Sequence, residues 1–159
     1  MSAVEVPKVK EWLHHYLDAA VAALDPVPTK QFILAGGEVP WDQCDCNGQV
    51  WARVVSLNPV LGPTKANGQP CVVQHWDLTM AIGVIRCVAV PSDSGKLPTG
   101  PRMTQDGDKA ADDLARLVQA VVCDPLTSTI QGGVPLGAQG GCAGSEVTFG
   151  VRIKPCGCD

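Results

Sequence analysis

This chain has little positive charge and no long apolar run. Its 159 residues carry 12 Lys+Arg against 16 Asp+Glu, a formal charge of −4. That argues against a nucleic-acid binder, which needs a basic stripe to displace counterions from phosphate. The most apolar stretch, 80–90, is interrupted by Arg86 and is far shorter than the roughly 20 residues that span a bilayer. Residues 1–10 show no basic leader running into an apolar segment, so no secretory signal is expected and synthesis as a soluble cytosolic protein is. Catalytic signatures are missing too. There is no Gly-x-Ser-x-Gly, no His-Glu-x-x-His and no phosphate loop, and the Gly-rich run 137–144 lacks the Lys-Ser/Thr ending of one. No repeat or linker divides the chain, so 1–159 reads as a single domain large enough for a real core, with 155–159 as a frayed tail.

What is present is a foldable composition, 45% apolar, combined with 17 glycines and 13 prolines. Such a chain spends much of its length in turns and loops around a modest regular scaffold. Between 8 and 24 the apolar residues Val9, Trp12, Leu13, Tyr16, Leu17, Ala20, Val21 and Leu24 recur at helical spacing. They predict an amphipathic helix with Pro7 in its first turn and Pro26 forbidding continuation. The stretch 25–48 reads as loop with a short strand at 31–34. Residues 49–57 are β-branched and aromatic on both faces and predict a strand ended by Asn58-Pro59. After a loop at 59–70, the alternation of Trp76, Leu78, Met80, Ile82 and Val84 predicts a strand over 72–90. At about 3.3 Å per residue that run would stretch roughly 60 Å, so a bend or bulge near Gly83, or a projection beyond the body of the fold, is expected. A second long loop, 91–107, leads to a helix over 108–122 with Asp108 as N-cap and Pro125 as stop. A strand at 127–136, a turn at 137–144 and a half-buried strand at 146–154 complete the order. The expected fold is α+β: a mainly antiparallel sheet with two amphipathic helices packed on one face, and long loops.

Eight cysteines are unusual for a cytosolic product, where thiols stay reduced. Two Cys-x-Cys pairs, 44/46 and 156/158, could supply zinc, but structural zinc sites use wider spacing within a pair. Cys87 in the long strand and Cys123 at a helix end read as small buried apolar residues. Disulfides are expected among Cys44, Cys46, Cys71, Cys87, Cys123 and Cys142, with the pairing left open. No carboxylate or cysteine pairing singles out one of His14, His15 and His75, and all three read as solvated or packed histidines. Asp106, Asp108, Asp112 and Asp113 cluster where the macrodipole of the second helix would favour them. Neither a catalytic residue nor a metal or cofactor site is expected.

Apolar surface without an evident cover is the strongest functional signal. Two helices cannot shield both faces of 49–57 and the far end of 72–90, and uncovered apolar patches mark protein–protein contact. The residues expected at such contacts are Trp51, Arg53, Trp76, Leu78 and Met80 on strands, with Lys96 and Arg102 in the second long loop.

Three blocks carry a family resemblance. Trp41-Asp42-x-Cys44-x-Cys46-x-Gly48-Gln49-x-Trp51-x-Arg53-Val54-Val55 is the first, Gly83-Val84-Ile85-Arg86-Cys87 the second, and Pro135-Leu136-Gly137-x-x-Gly140-Gly141-Cys142-x-Gly144 the third. Together they resemble small structural proteins of long-tailed phages infecting actinobacteria, in particular tail terminators (tail completion proteins) of the head-to-tail interface. The resemblance implies an α+β virion subunit that closes into a hexameric ring, caps the tail tube and joins it to the head connector. The implied partners are further copies of the chain, the tail tube protein and connector or adaptor proteins. Genomic DNA would pass through the lumen unbound, with no membrane involved, and assembly would occur in the host cytoplasm. The abundant cysteines depart from the tail terminators of enterobacterial phages. Two other readings compete: a different neck component, such as a head-closure or adaptor protein, and a small zinc- or thiol-dependent enzyme using Cys44/Cys46.

Overall fold

A computed structural model describes residues 7–39, 44, 46–63, 67–68 and 73–154. Seven elements follow one another: α1 (Val9–Ala23), β1 (Lys30–Leu34), β2 (Gln49–Leu61), β3 (Val73–Cys87), α2 (Gly100–Val122), β4 (Thr127–Gln139) and β5 (Cys142–Ile153). The strands form one sheet in the order β1-β2-β3-β5-β4. β1 runs parallel to β2 and every other pairing is antiparallel. Both helices pack on the same face, so the α+β architecture stands as expected.

The helical spacing in α1 aims Leu13, Tyr16, Leu17 and Ala20 at the sheet. They meet the inward residues of the three central strands, among them Val50, Leu78, Met80, Ile82, Val147 and Phe149. Tyr16 lies at the centre. Its ring tilts against Phe149 with centroids 4.4 Å apart, and its hydroxyl is hydrogen-bonded to Thr127 Oγ1 at 2.8 Å. α2 adds Leu117 and Val121 to the same core.

Several boundaries differ from expectation. α1 begins one residue after Lys8, so Pro7 precedes the helix. α2 starts at Gly100, where Thr99 is the N-cap, its side chain accepting from the Arg102 N–H, and a proline sits in the first turn. The loop expected over 91–107 therefore shrinks, and Asp108 is mid-helix. Low-propensity Gly100 and Gly107 masked two turns that the Thr-Gly-Pro start organises. β2 continues through Asn58-Pro59 to Leu61. Beyond Arg53 it has no β1 partner, and an open edge is where proline costs no ladder bond. The β2–β3 register shifts twice, at Val55 of β2 opposite Thr79–Met80 and at Gln74 of β3 opposite Val60–Leu61, while β3 passes Gly83 in unbroken register with β5. Gly83 serves another purpose: a Cβ there would overlap the Trp51 ring. The turn expected over 137–144 contracts to Gly140-Gly141, both with positive φ (56° and 78°), as a two-residue type I′ hairpin requires.

The second face of the sheet is covered at one end by the chain itself. Val39 and Cys44, between parallel β1 and β2, pack on Trp51, Ile85 and Cys142 together with Phe32, Leu34 and Leu136. Trp51 and Ile85 are consequently fully buried. At Trp51 the cover comes from the chain itself. The frayed tail expected at 155–159 lies outside the described residues.

A buried ion pair locks these layers. Arg86, on the helix face of β3, donates from Nε to Asp113 Oδ2 (2.6 Å) and from Nη2 to Asp113 Oδ1 (3.1 Å). It also donates to the backbone carbonyls of Asn47 (2.9 Å) and Pro26 (2.7 Å). Lys109 adds a second cation on Asp113 Oδ1 at 2.9 Å. Removing one partner strands the other charge in the interior, so Asp113→Ala should cost about 3–5 kcal/mol in denaturant unfolding. Burial pushes the Tyr16 hydroxyl up to about 12. As Tyr16 is the only tyrosine, absorbance titration of the phenolate should show a single midpoint near that value in folded protein. The raised value contributes stability that is complete below an unfolded pKa of about 10 and is lost as the pH climbs from there through the folded value.

Candidate interface and cysteine cluster

The residues expected at contacts between subunits divide sharply by burial. Trp51, Leu78 and Met80 are fully buried within the chain, so they are core residues and the expectation for them is corrected: Leu78 and Met80 face the helices, and Trp51 lies under the β1–β2 connection. Arg53 is half-buried on the second face and grips Glu146, donating from Nε to Oε2 (3.0 Å) and from Nη2 to Oε1 (2.6 Å). Glu146 also accepts from the Trp51 indole at 3.0 Å, and its hydrogen bonds raise the Arg53 pKa further. Trp76 is half-buried against the main core near the start of β3. Lys96 and Arg102 are exposed. Lys96 closes a turn onto Ser92, and Arg102 pairs with Asp106 at 3.4 Å in the first turns of α2.

The surplus apolar surface lies at the edges of the sheet. On one side the outer strand β4 exposes Ile130 and Val134, with Leu126 and Val122 beside its start. Across the sheet, the part of β2 beyond its last β1 partner, Arg53, exposes Val55 and Leu61. A further group, Val90, Leu97 and Met103, brackets the loop into α2. Alternation alone could not single out these positions, because edge status depends on which strands become neighbours.

The acidic cluster has specific partners in place of a helix N-terminus. Asp106 accepts from the Ala89 N–H (2.8 Å) as well as pairing with Arg102. Asp112 binds Arg116 (2.7 Å), which holds its carboxyl below the usual range. Asp113 binds Arg86 and Lys109. His15 Nε2 lies 2.6 Å from Asp124 Oδ2, and His75 Nε2 lies 3.4 Å from Asp77 Oδ1. The first of these carboxylate partners is remote in sequence and invisible there.

The three sequence blocks meet at one end of the sheet. Cys44 is disulfide-bonded to Cys142, with Cα atoms 6.1 Å apart and a sequence separation of 98. Cys142 is the cross-strand partner of Cys87, and burial, with Cys46 nearby, raises the Cys87 thiol to about 11. Cys46 and Cys87 line a cavity of about 680 Å³, shared with Arg86, Arg102, Asp106 and Lys109. Cys87 is half-buried and Cys123 exposed, so neither is the inert interior residue expected. Cys71, Cys156 and Cys158 fall outside the described residues. Among the described residues no three His, Cys, Asp or Glu side chains are placed to hold a metal ion, and no helix is long and apolar enough to cross a membrane.

The disulfide closes a long loop, so Cys142→Ser should lower the unfolding free energy by about 4.7 kcal/mol on the chain-entropy account. Denaturant unfolding should show that gap under oxidising conditions and its disappearance when both proteins are reduced. No protein-family model and no curated protein matches this chain.

Proposed function

We propose that this chain is a virion structural subunit at the head-to-tail junction of a long-tailed phage, closing into a ring that caps the tail tube and meets the head connector. The observation that carries this reading is the exposure of apolar side chains on both sides of one sheet, Ile130 and Val134 on the outer strand β4, Val55 and Leu61 on β2 beyond its β1 pairing. A ring built from one repeated subunit needs two different patches that meet head to tail and close by rotation. Both edges carry a proline and a bulge, Pro135 on β4 and Pro59 on β2. Those features discourage indiscriminate strand addition, so side-chain packing joins the copies.

The three blocks quoted above support the phage assignment, and the net charge of −4 suits a lumen through which DNA must slide without phosphate contacts. The role is geometric: one face of the ring accepts the tube, and the other offers a different surface to the connector.

Native mass spectrometry of the purified chain, alone and with tube protein, tests this. A closed ring of identical subunits, hexameric by the resemblance, is expected. Val134→Asp should weaken association at least tenfold, about 1.4 kcal/mol or more, while leaving the monomer fold intact by circular dichroism. A strict monomer that never attaches to tube ends overturns the reading.

A further inference from the structure

We propose that Cys46 and Cys87 form a second site of covalent cross-linking, in which oxidation by a small-molecule disulfide joins them beside Cys44–Cys142 and bolts the β1–β2 connection to the end of β3. This inference does not depend on the assembly reading.

The geometry comes from anchors on both sides of Cys46. Two residues upstream, Cys44 is tied to Cys142, and the β3–β5 ladder sets Cys87 directly across from Cys142. Immediately downstream, the Asn47 carbonyl accepts from Arg86, the neighbour of Cys87 in β3. Gly48 then presses against the same strand in a positive-φ conformation (84°), where a Cβ would overlap the Ile85 carbonyl. With both flanks pinned on β3 and β5, Cys46 is held at the wall of the cavity that Cys87 also lines.

Accessibility sets the order of events. Cys46 is exposed and Cys87 half-buried, and burial pushes the Cys87 thiol up to about 11, so Cys46 is the entering nucleophile. Its thiolate attacks one sulfur of the small disulfide, expels the first thiolate and becomes a mixed disulfide. The Cys87 thiolate then attacks Cys46 Sγ and expels the second. The two protons lost from the protein thiols end on the released thiols, and two electrons pass from the protein sulfurs to the oxidant.

Trypsin places Cys44 and Cys46 in peptide 31–53, Cys87 in 87–96, and Cys123 with Cys142 in 117–152. The full chain would be equilibrated with oxidised glutathione, blocked with iodoacetamide, and digested without reduction. The expected product is one species in which 31–53 is linked to both 87–96 and 117–152. In Cys46→Ser the link to 117–152 should persist while Cys87 becomes alkylated, and Cys87→Ser should leave Cys46 alkylated or carrying glutathione. The wild-type map alone overturns the proposal if Cys46 and Cys87 are both alkylated, or if glutathione stays on Cys46. Loss of the 117–152 link in Cys46→Ser would show the opposite pairing. Stoichiometric zinc held by the two thiols after addition of the metal would replace the cross-link with a metal site.

Discussion

A single guanidinium holds four segments of this protein together. Arg86 projects from the end of β3 onto the helix face, where an unpaired charge would be untenable. The Asp113 carboxylate on α2 takes it in a bidentate grip, and the carbonyls of Pro26 and Asn47 fill its remaining directions. The same contacts register α2 against the sheet and fix both the end of the α1–β1 turn and the last residues of the β1–β2 connection. Lys109 reinforces the arrangement by bridging Asp113 to the carbonyl of Asp25. A hydrophobic residue in place of the pair would fill the space without aiming these two loops.

The two faces of the sheet are covered by different means, and this decides where free apolar surface remains. One face has helices, whose regular stripes supply a broad core. On the other, among the described residues, Val39 and Cys44 of the β1–β2 connection pack on Trp51 and Ile85. Parallel neighbours such as β1 and β2 are ordinarily joined by a helix that packs back on the sheet. Here a disulfide and the contacts of Arg86 and Gly48 take over what such a helix would contribute through burial. Exposed Val, Ile and Leu side chains remain on β4 and the outer half of β2, and also beside the α1–β1 turn, the loop into α2 and the α2–β4 turn.

Charge follows the same economy. Trp51, Arg53 and Glu146 form a connected polar group on the second face, satisfying an indole N–H that burial would otherwise leave without an acceptor. Gly83 leaves room for that indole. The apparently two-faced apolar strand of the sequence is thus a strand whose second face is capped by a loop, an aromatic ring and an ion pair.

Much of the fold was legible in local pattern. The recurrence from Val9 to Leu24 specifies α1 and its buried stripe, and alternation from Trp76 to Val84 and from Val147 to Ile153 specifies the two central strands, because side-chain direction repeats with the backbone of each element. The start of α2, the passage of β2 through Pro59 and the two-residue Gly140-Gly141 turn were not legible: a cap, an edge and a register outweigh propensity there. The candidate site was legible only in its residue types. Which cysteine meets which, that Trp51, Leu78 and Met80 lie inside while Ile130 and Val134 lie outside, and that Asp113 belongs to Arg86 were settled by tertiary structure. The sequence by itself determined the elements and their inward faces, since these depend on neighbours a few residues away. Only the packed chain decided the strand order, and with it the edges and the cysteine pairing, since those depend on residues far apart in sequence whose meeting no local period encodes.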